Sequence, residues 1–362
     1  MLQGTRMPHI YAHRSAIPKT MRALAKIDPA PGLKLIEALV PVPGPGEVLV
    51  RVKKTALSYA ALHIDRWDAW AQRAIRPPVI VGHEFAGLVA STGPGVNDFH
   101  PGEVVVAEPN VACGMCRHCL SGRRHLCRDA RRLGQTQDGV FADYVCLPQG
   151  CLWHADPRVP IDVLACFIPL GQAVRVARRF DLLGANVLVT GANALGCMTA
   201  AIAHHAGARS VVVADANPAG LALARALGTT HTVDTRSQTL DLACRELGIG
   251  DGFDLGVEAA GLPAALGDLL AHLRPGGQLA LLGAETGEVA VDVHAILAKQ
   301  LTVAGIDDRN SASDWERLTQ VLRHGLDLGA VITHRLPIGN FREAFDRIAA
   351  GEPGKIVLDW DC

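Results

Sequence analysis

Cys113, Cys116, Cys119 and Cys127 fall at Cys-x2-Cys-x2-Cys-x7-Cys spacing. Four thiolates on one short loop can close a tetrahedral shell around zinc. Such a shell leaves no open coordination position, so the metal it holds stabilises the loop and catalyses nothing. A second constellation lies further on, in Gly191-Ala192-Asn193-Ala194-Leu195-Gly196. This turn stands where a Gly-x-Gly-x-x-Gly fingerprint would cradle a pyrophosphate, with Asn193 in place of the middle glycine. Asn tolerates unusual backbone angles better than most residues. The helix start at Ala194 and Leu195 still offers N–H groups and a dipole to phosphate. Nineteen residues after Gly196, Asp215 closes an apolar run, where an acid would bind the adenosine ribose hydroxyls. A carboxylate there repels a 2′-phosphate, which favours NAD(H) over NADP(H).

The elements that must position these groups change character along the chain. From Met21 to about Leu152 the text is strand-like and turn-rich, with an alternating Val48–Val52 and short apolar runs at Phe85–Ala90 and Val104–Ala107. After about residue 170, compact apolar strands at Asn186–Thr190, Ser210–Asp215, Phe253–Glu258 and Gln278–Leu282 alternate with helical patterns. Those helices are expected over Leu195–His205, Pro218–Leu227 and Pro263–Leu273. Strand–helix alternation of this length argues an α/β fold with a doubly wound parallel Rossmann sheet. A further helix is expected over Trp315–His324, and a closing strand at Lys355–Asp359 returns to the first domain. The expected division is a catalytic domain of residues 21–170 plus 310–362 carrying the 113–127 lobe, and an NAD-binding domain of residues 171–309. Residues 1–20 read as a disordered leader, with Met1 and Met21 both candidate starts.

With 49% apolar and 20% charged residues, the 362-residue chain can bury more than one core. A formal charge of -1 supplies no field for nucleic acid or an anionic membrane. No apolar stretch approaches the ~20 residues of a membrane helix, and no signal-peptide core opens the chain. The other six cysteines are scattered without pairing logic, which suits a reducing cytoplasm. The basic clusters around residues 123–132 read as a solvated face.

The four-Cys lobe followed by a nucleotide domain resembles the zinc-containing medium-chain dehydrogenases, and within them the L-threonine 3-dehydrogenases. The resemblance runs from Met21 to about Asp361. It is carried by His63-Ile64 with Trp67-Asp68-Ala69-Trp70, Gly82-His83-Glu84, the lobe itself, Phe180-Asp181-Leu182-Leu183-Gly184 and Ile332-Thr333-His334-Arg335. It implies a partly open, β-barrel-like (GroES-like) catalytic domain beside the Rossmann domain, in a homo-oligomeric dimer or tetramer. It also implies a catalytic zinc whose ligand positions here are Ser58 in place of Cys, His83, Glu84, and Ile168 in place of an acid. The hydroxyl of the proton relay falls on Ala60, while the relay histidine survives as His63. Cys166, two residues from Ile168, is a candidate replacement ligand, with a buried structural cysteine as the alternative. The resemblance places the strand end Leu282-Gly283-Ala284 and the segment Ile306-Asp307 against the cofactor. It also puts Gly220 where the family has an adenosine-binding Arg, and Asp307-Asp308 where it has Tyr-Gly. Two added acids there suit either a cationic substrate or a solvated loop.

A serine hydroxyl is a poor zinc ligand and isoleucine is none. Zinc lowers the pKa of bound water from about 15.7 to about 7, a benefit on the order of 10 kcal/mol, whereas a general base supplies roughly 3–5 kcal/mol. Ordinary alcohol oxidation is therefore not expected from this site. The expected function is NAD(H)-dependent hydride transfer on an activated small molecule, such as an imine, iminium, conjugated carbonyl or amino-alcohol-like compound. His63, Tyr59 and Ser58 are the candidates for proton transfer and hydrogen bonding. The alternatives are an inactive NAD-binding homologue with a partner role, NAD-assisted chemistry without net redox change, and an alcohol dehydrogenase with a rebuilt metal site.

Overall fold

The computed structural model describes residues 17–283 and 289–362. Six parallel strands form one sheet in the order His231–Asp234, Ser210–Asp215, Asn186–Thr190, Phe253–Glu258, Leu273–Leu281, Thr302–Gly305. Numbered along the chain this order is 3-2-1-4-5-6, the doubly wound arrangement that leaves a crevice at the carboxyl ends of the first and fourth strands. Val187, Val189, Val211, Val212, Val213 and Val257 are all buried. Parallel strands covered on both faces need such continuous apolar runs, because helices pack above and below them. Helices Ala194–His205, Pro218–Ala226 and Pro263–His272 supply those covers, each within a residue or so of the expected segments.

The remainder of the described chain builds a second unit. Strands Leu152–His154, Val104–Ala107, Phe85–Thr92, Glu47–Ala56, Lys355–Asp359 and Ile332–Pro337 follow one another across a seven-stranded sheet, with Tyr144–Pro148 also paired to Glu47–Ala56. Lys355–Asp359 pairs antiparallel with Glu47–Ala56, so a strand from beyond the parallel sheet is an interior strand of the unit built before it. A three-stranded sheet of Lys34–Leu39, Thr20–Lys26 and Val79–Ile80 flanks it.

Three expectations are amended. Thr20 already pairs with Leu39, so the folded body starts before Met21; the leader reading otherwise falls on residues 1–16, outside the described chain. The strand expected at Gln278 begins at Leu273. The helix expected from Trp315 begins at Ala312, capped by a Ser311–Asp314 box that supplies the missing N-terminal acceptors.

Candidate active site and zinc lobe

The four lobe cysteines converge. Their sulfurs all lie within 4.8 Å of one another, with separations of 3.6 Å (Cys116–Cys119), 3.9 Å (Cys116–Cys127) and 4.0 Å (Cys113–Cys119). Zn–S bonds of about 2.3 Å in a tetrahedron require sulfurs roughly 3.8 Å apart. Backbone N–H groups of Cys113 and Cys116 already donate to the sulfurs of Cys127 and Cys113, which favours thiolates. The donor set therefore fits a structural zinc.

The other metal position does not fit. Ser58 is the N-cap of helix Tyr59–Arg66, and its Oγ accepts the Ala61 N–H at 3.3 Å. Ile168 is 3% exposed and belongs to the apolar cluster with Ala56, Ala86 and Leu170. Its carbonyl accepts the side-chain amide of the buried Asn310, so the residue is fixed as packing. Burial pushes the Cys166 thiol up to about 12, and its sulfur faces the Asp162 carbonyl at 3.6 Å. Among the described residues, the lobe is the one group of three or more His, Cys, Asp or Glu side chains with converging ligand atoms.

His83 and Glu84 sit at the floor of the site, both buried. Burial, with the charges of Arg132 and Lys355 adding to it, drives His83 down to about 3, so its imidazole is neutral at physiological pH. Lys355 Nζ lies 2.9 Å from Glu84 Oε1 and 2.7 Å from Oε2, and also donates to the Leu57 carbonyl at 2.8 Å. This buried pair was not found from the sequence. Its signal was a lysine at the head of a closing strand whose next three residues are apolar.

His63 hydrogen-bonds through Nδ1 to Asp68, with the Trp70 ring 5.7 Å away. Burial alone would raise the Asp68 carboxyl. The Ala71 N–H, His63 and the Trp70 N–H hold it below its usual range instead. Tyr59 is half exposed, at the opening of the same helix. Ser58, Tyr59 and His63 thus share one helix and its cap, but no side-chain hydrogen bond joins them among the described residues.

At the nucleotide turn, Asn193 adopts φ -78°, ψ 179°, extended rather than left-handed. Its tolerance for unusual angles is therefore not used. Its side chain caps the helix by accepting the Gly196 N–H at 3.0 Å and donates to the Ala259 carbonyl at 2.6 Å. The first-turn N–H groups of Ala194 and Leu195, which no helix can satisfy internally, stay available to a phosphate. Gly191 is the left-handed residue (φ +98°), and a Cβ on it would meet Ala260 N at 2.6 Å. Asp215 accepts the Ala192 and Asn217 N–H groups at 2.6 and 2.7 Å, which fixes its carboxylate at the strand end. A Cβ on Gly220 would lie 2.5 Å from the Ala192 carbonyl. Leu282, Gly283 and Ile306 lie at or beside the ends of neighbouring strands, Ile306 N donating to Leu281 O at 2.9 Å. Ala284 lies outside the described residues.

Two acids and an arginine read differently once placed. Asp307 is engaged by Arg309 and Arg175, and Asp308 by Arg132. Neither acid is a bare loop charge awaiting a cation. Arg132 in turn leaves the solvated face to which the basic clusters were assigned, since only about a quarter of its side chain is exposed. Glu108 is a further group the sequence did not reveal. Its Oε1 accepts from Asn110 at 2.9 Å, its buried Oε2 has no partner among the described residues, and burial pushes it up to about 8.

A parallel nucleotide-type sheet joined to a barrel-like sheet with a four-thiolate lobe defines a two-domain, nicotinamide-dependent dehydrogenase. Residues 44–157 match the alcohol dehydrogenase GroES-like domain, and residues 194–324 match the zinc-binding dehydrogenase domain. The L-threonine 3-dehydrogenase of Deinococcus radiodurans is 42% identical over 342 residues, 94% of this chain and 98% of that one. An Escherichia coli alcohol dehydrogenase complexed with NADH superposes with TM-score 0.86 at 25% identity, covering 95% and 100% of the two chains. A zinc-binding dehydrogenase of Sinorhizobium meliloti bound to NADP gives the same score, identity and coverage. The chain belongs to the zinc-binding medium-chain dehydrogenases, where it is similar to the L-threonine 3-dehydrogenases, and it is an oxidoreductase.

Proposed function

We propose that this protein transfers hydride between NAD(H) and an activated small carbonyl or imine without a catalytic zinc. The carrying observation is the joint fate of two ligand positions: the Ser58 oxygen caps a helix and Ile168 is part of the core. His83 and Glu84 alone offer too few donors for a firm site, and Glu84 is already paired with Lys355.

The dinucleotide, when bound, supplies the two-electron chemistry. The chain's own residues do the rest. Ala194 and Leu195 N–H groups receive the pyrophosphate, Asp215 receives the ribose hydroxyls and disfavours a 2′-phosphate, and Leu282, Gly283, Ile306 and Asp307 border the nicotinamide end. Ser58 accepts the Ala61 N–H yet keeps its own hydroxyl proton, which it can donate to a substrate oxygen. His63, oriented by Asp68, carries protons between that oxygen and solvent. A zinc on Cys113, Cys116, Cys119 and Cys127 would hold the 113–127 lobe together and take no part in these steps. We also infer that the protein works in the cytoplasm as a dimer or tetramer.

The test combines elemental analysis with turnover. Protein purified without added metal is expected to hold about one zinc per chain. It should oxidise NADH in the presence of 9,10-phenanthrenequinone, a strongly electrophilic dicarbonyl, and should not reduce NAD with L-threonine. About two zincs per chain would overturn the reading. The 42% identity to an L-threonine 3-dehydrogenase favours a second reading, an amino-alcohol substrate at a rebuilt metal site. Threonine oxidation that rises with added zinc would establish that one instead.

A further inference from the structure

The turn that follows the zinc lobe is pressed against the floor of the active site. Val140 N donates to Gly82 O at 3.0 Å and Gly139 N to Ile80 O at 2.8 Å. A Cβ on Gly134 would come within 2.6 Å of Gly82 N and O, so backbone meets backbone immediately before His83. Arg132 sits in this turn. Its own strand, Arg131–Arg132, pairs with Asn110–Val111, and its N–H donates to Thr136 Oγ1 at 2.7 Å. The backbone that carries the guanidinium is therefore fixed.

The guanidinium reaches across to the other sheet. One terminal nitrogen pairs with Asp308, which follows strand Thr302–Gly305 at the carboxyl end of the parallel sheet, where dinucleotides bind in this topology. Its Nε is closed off from any ligand, but its other terminal nitrogen makes no hydrogen bond among the described residues, on a side chain that stays about a quarter exposed. Three further groups belong to the same cluster. The Arg132 charge acts on His83, and the Asp308 charge acts on both Glu84 and Glu108. A cation is thus carried by the turn that packs against Gly82, the residue before His83, and one of its terminal N–H groups is unspent. An arginine stays charged at any relevant pH and presents its donors in a rigid fork, the properties an oxyanion requires of its partner.

We propose that Arg132 is a catalytic residue that binds the substrate's carbonyl oxygen and stabilises the negative charge developing there, the task a zinc ion performs in zinc-dependent relatives. This assignment rests on the zinc-free reading above. Hydride adds to the carbonyl carbon, with a dihydronicotinamide as the two-electron donor, and the carbon–oxygen π pair moves to oxygen. The alkoxide forms against the unspent terminal N–H of Arg132 and takes one proton from water relayed through His63. Asp308 is a positioning residue, because it holds the guanidinium without touching the substrate. The substrate class this favours is a carbonyl whose oxygen gains charge early, such as a dicarbonyl or conjugated ketone.

The test uses the full chain with its lobe zinc in place and compares wild type with Arg132→Gln, Arg132→Ala and Asp308→Asn. Acetate, an oxyanion probe, is titrated calorimetrically, NADH binding is followed by fluorescence, and quinone reduction by absorbance. Arg132→Gln should weaken acetate binding at least tenfold and lower kcat for 9,10-phenanthrenequinone by about 100-fold, with NADH affinity unchanged. Added guanidinium ion should restore part of the activity of Arg132→Ala, which a purely structural interdomain pair would not allow. Full activity in Arg132→Gln would overturn the assignment even if the enzyme works without catalytic zinc. Arg132-dependent acetate binding with no quinone reduction in wild type would leave the oxyanion site standing and sink the hydride reading. Wild type that binds no acetate would overturn the site itself.

Discussion

At Ser58 the atom that a metal would need is occupied in holding the first turn of a helix, and at Ile168 the side chain is apolar on all sides. Restoring one position is therefore not expected to restore a metal. Ser58→Cys alone should leave zinc at about one per chain, while Ser58→Cys with Ile168→Asp should raise it to about two, read by elemental analysis of the purified proteins. Both departures were legible in the sequence, because a ligand position is a matter of residue type. Arg132, Glu108 and Lys355 were not, because a charge in a sequence carries no partner with it. Glu108 gives a second test. Its folded value of about 8 lies above its ordinary 4.5, so the folded chain holds this proton more tightly than the unfolded chain. The stability it contributes is complete below the unfolded value and is lost as pH rises through the folded one. Glu108→Gln, neutral throughout, should gain on wild type from about pH 5 to about pH 8, by at most about 1.4 kcal/mol per unit, measured by urea unfolding.

Among the elements, the three central parallel strands were legible residue for residue, since a run such as Val211–Val213 suits only a strand covered on both faces, whereas the edge strands His231–Asp234 and Thr302–Gly305, short and half exposed, were not read. Helix starts were less legible, because Asn193 and Ser311 act through side-chain caps whose geometry no periodicity displays. Asn193 was read as a weakened phosphate turn, yet its side chain completes the helix start and leaves the two outermost N–H groups untouched. Replacing Asn193 by Ala should cost about 1 kcal/mol of stability through loss of the cap, measured by thermal or urea unfolding. NADH affinity, titrated in parallel, should change only a few-fold if the phosphate is held by Ala194 and Leu195. A complete loss of binding would mean that the amide itself contacts the dinucleotide.

For the molecule as a whole, strand Thr302–Gly305 is the edge of the parallel sheet among the described residues, and Val303 is exposed there, as are Val293 and Leu297 on the preceding helix Val293–Ala298. An uncovered apolar edge of this kind is a liability that a second copy would relieve. Light scattering should find a dimer or tetramer, and Val303→Lys should shift it toward monomer without loss of the far-ultraviolet dichroism of the fold. Fold class was legible at this scale, but the weaving of the chain's two ends into one sheet was only sketched by the closing strand. That weaving bears on the order in which the protein comes into being. Glu84 emerges from the ribosome 271 residues before its partner Lys355. Until strand Lys355–Asp359 slides in beside Glu47–Ala56, Glu84 has no cation beside it and the first sheet stays unfinished, although every strand of the nucleotide sheet has already been made. Active-site assembly thereby waits for strand Lys355–Asp359, and a chain lacking residues 351–362 would possess nearly every group described above without the cation that Glu84 needs.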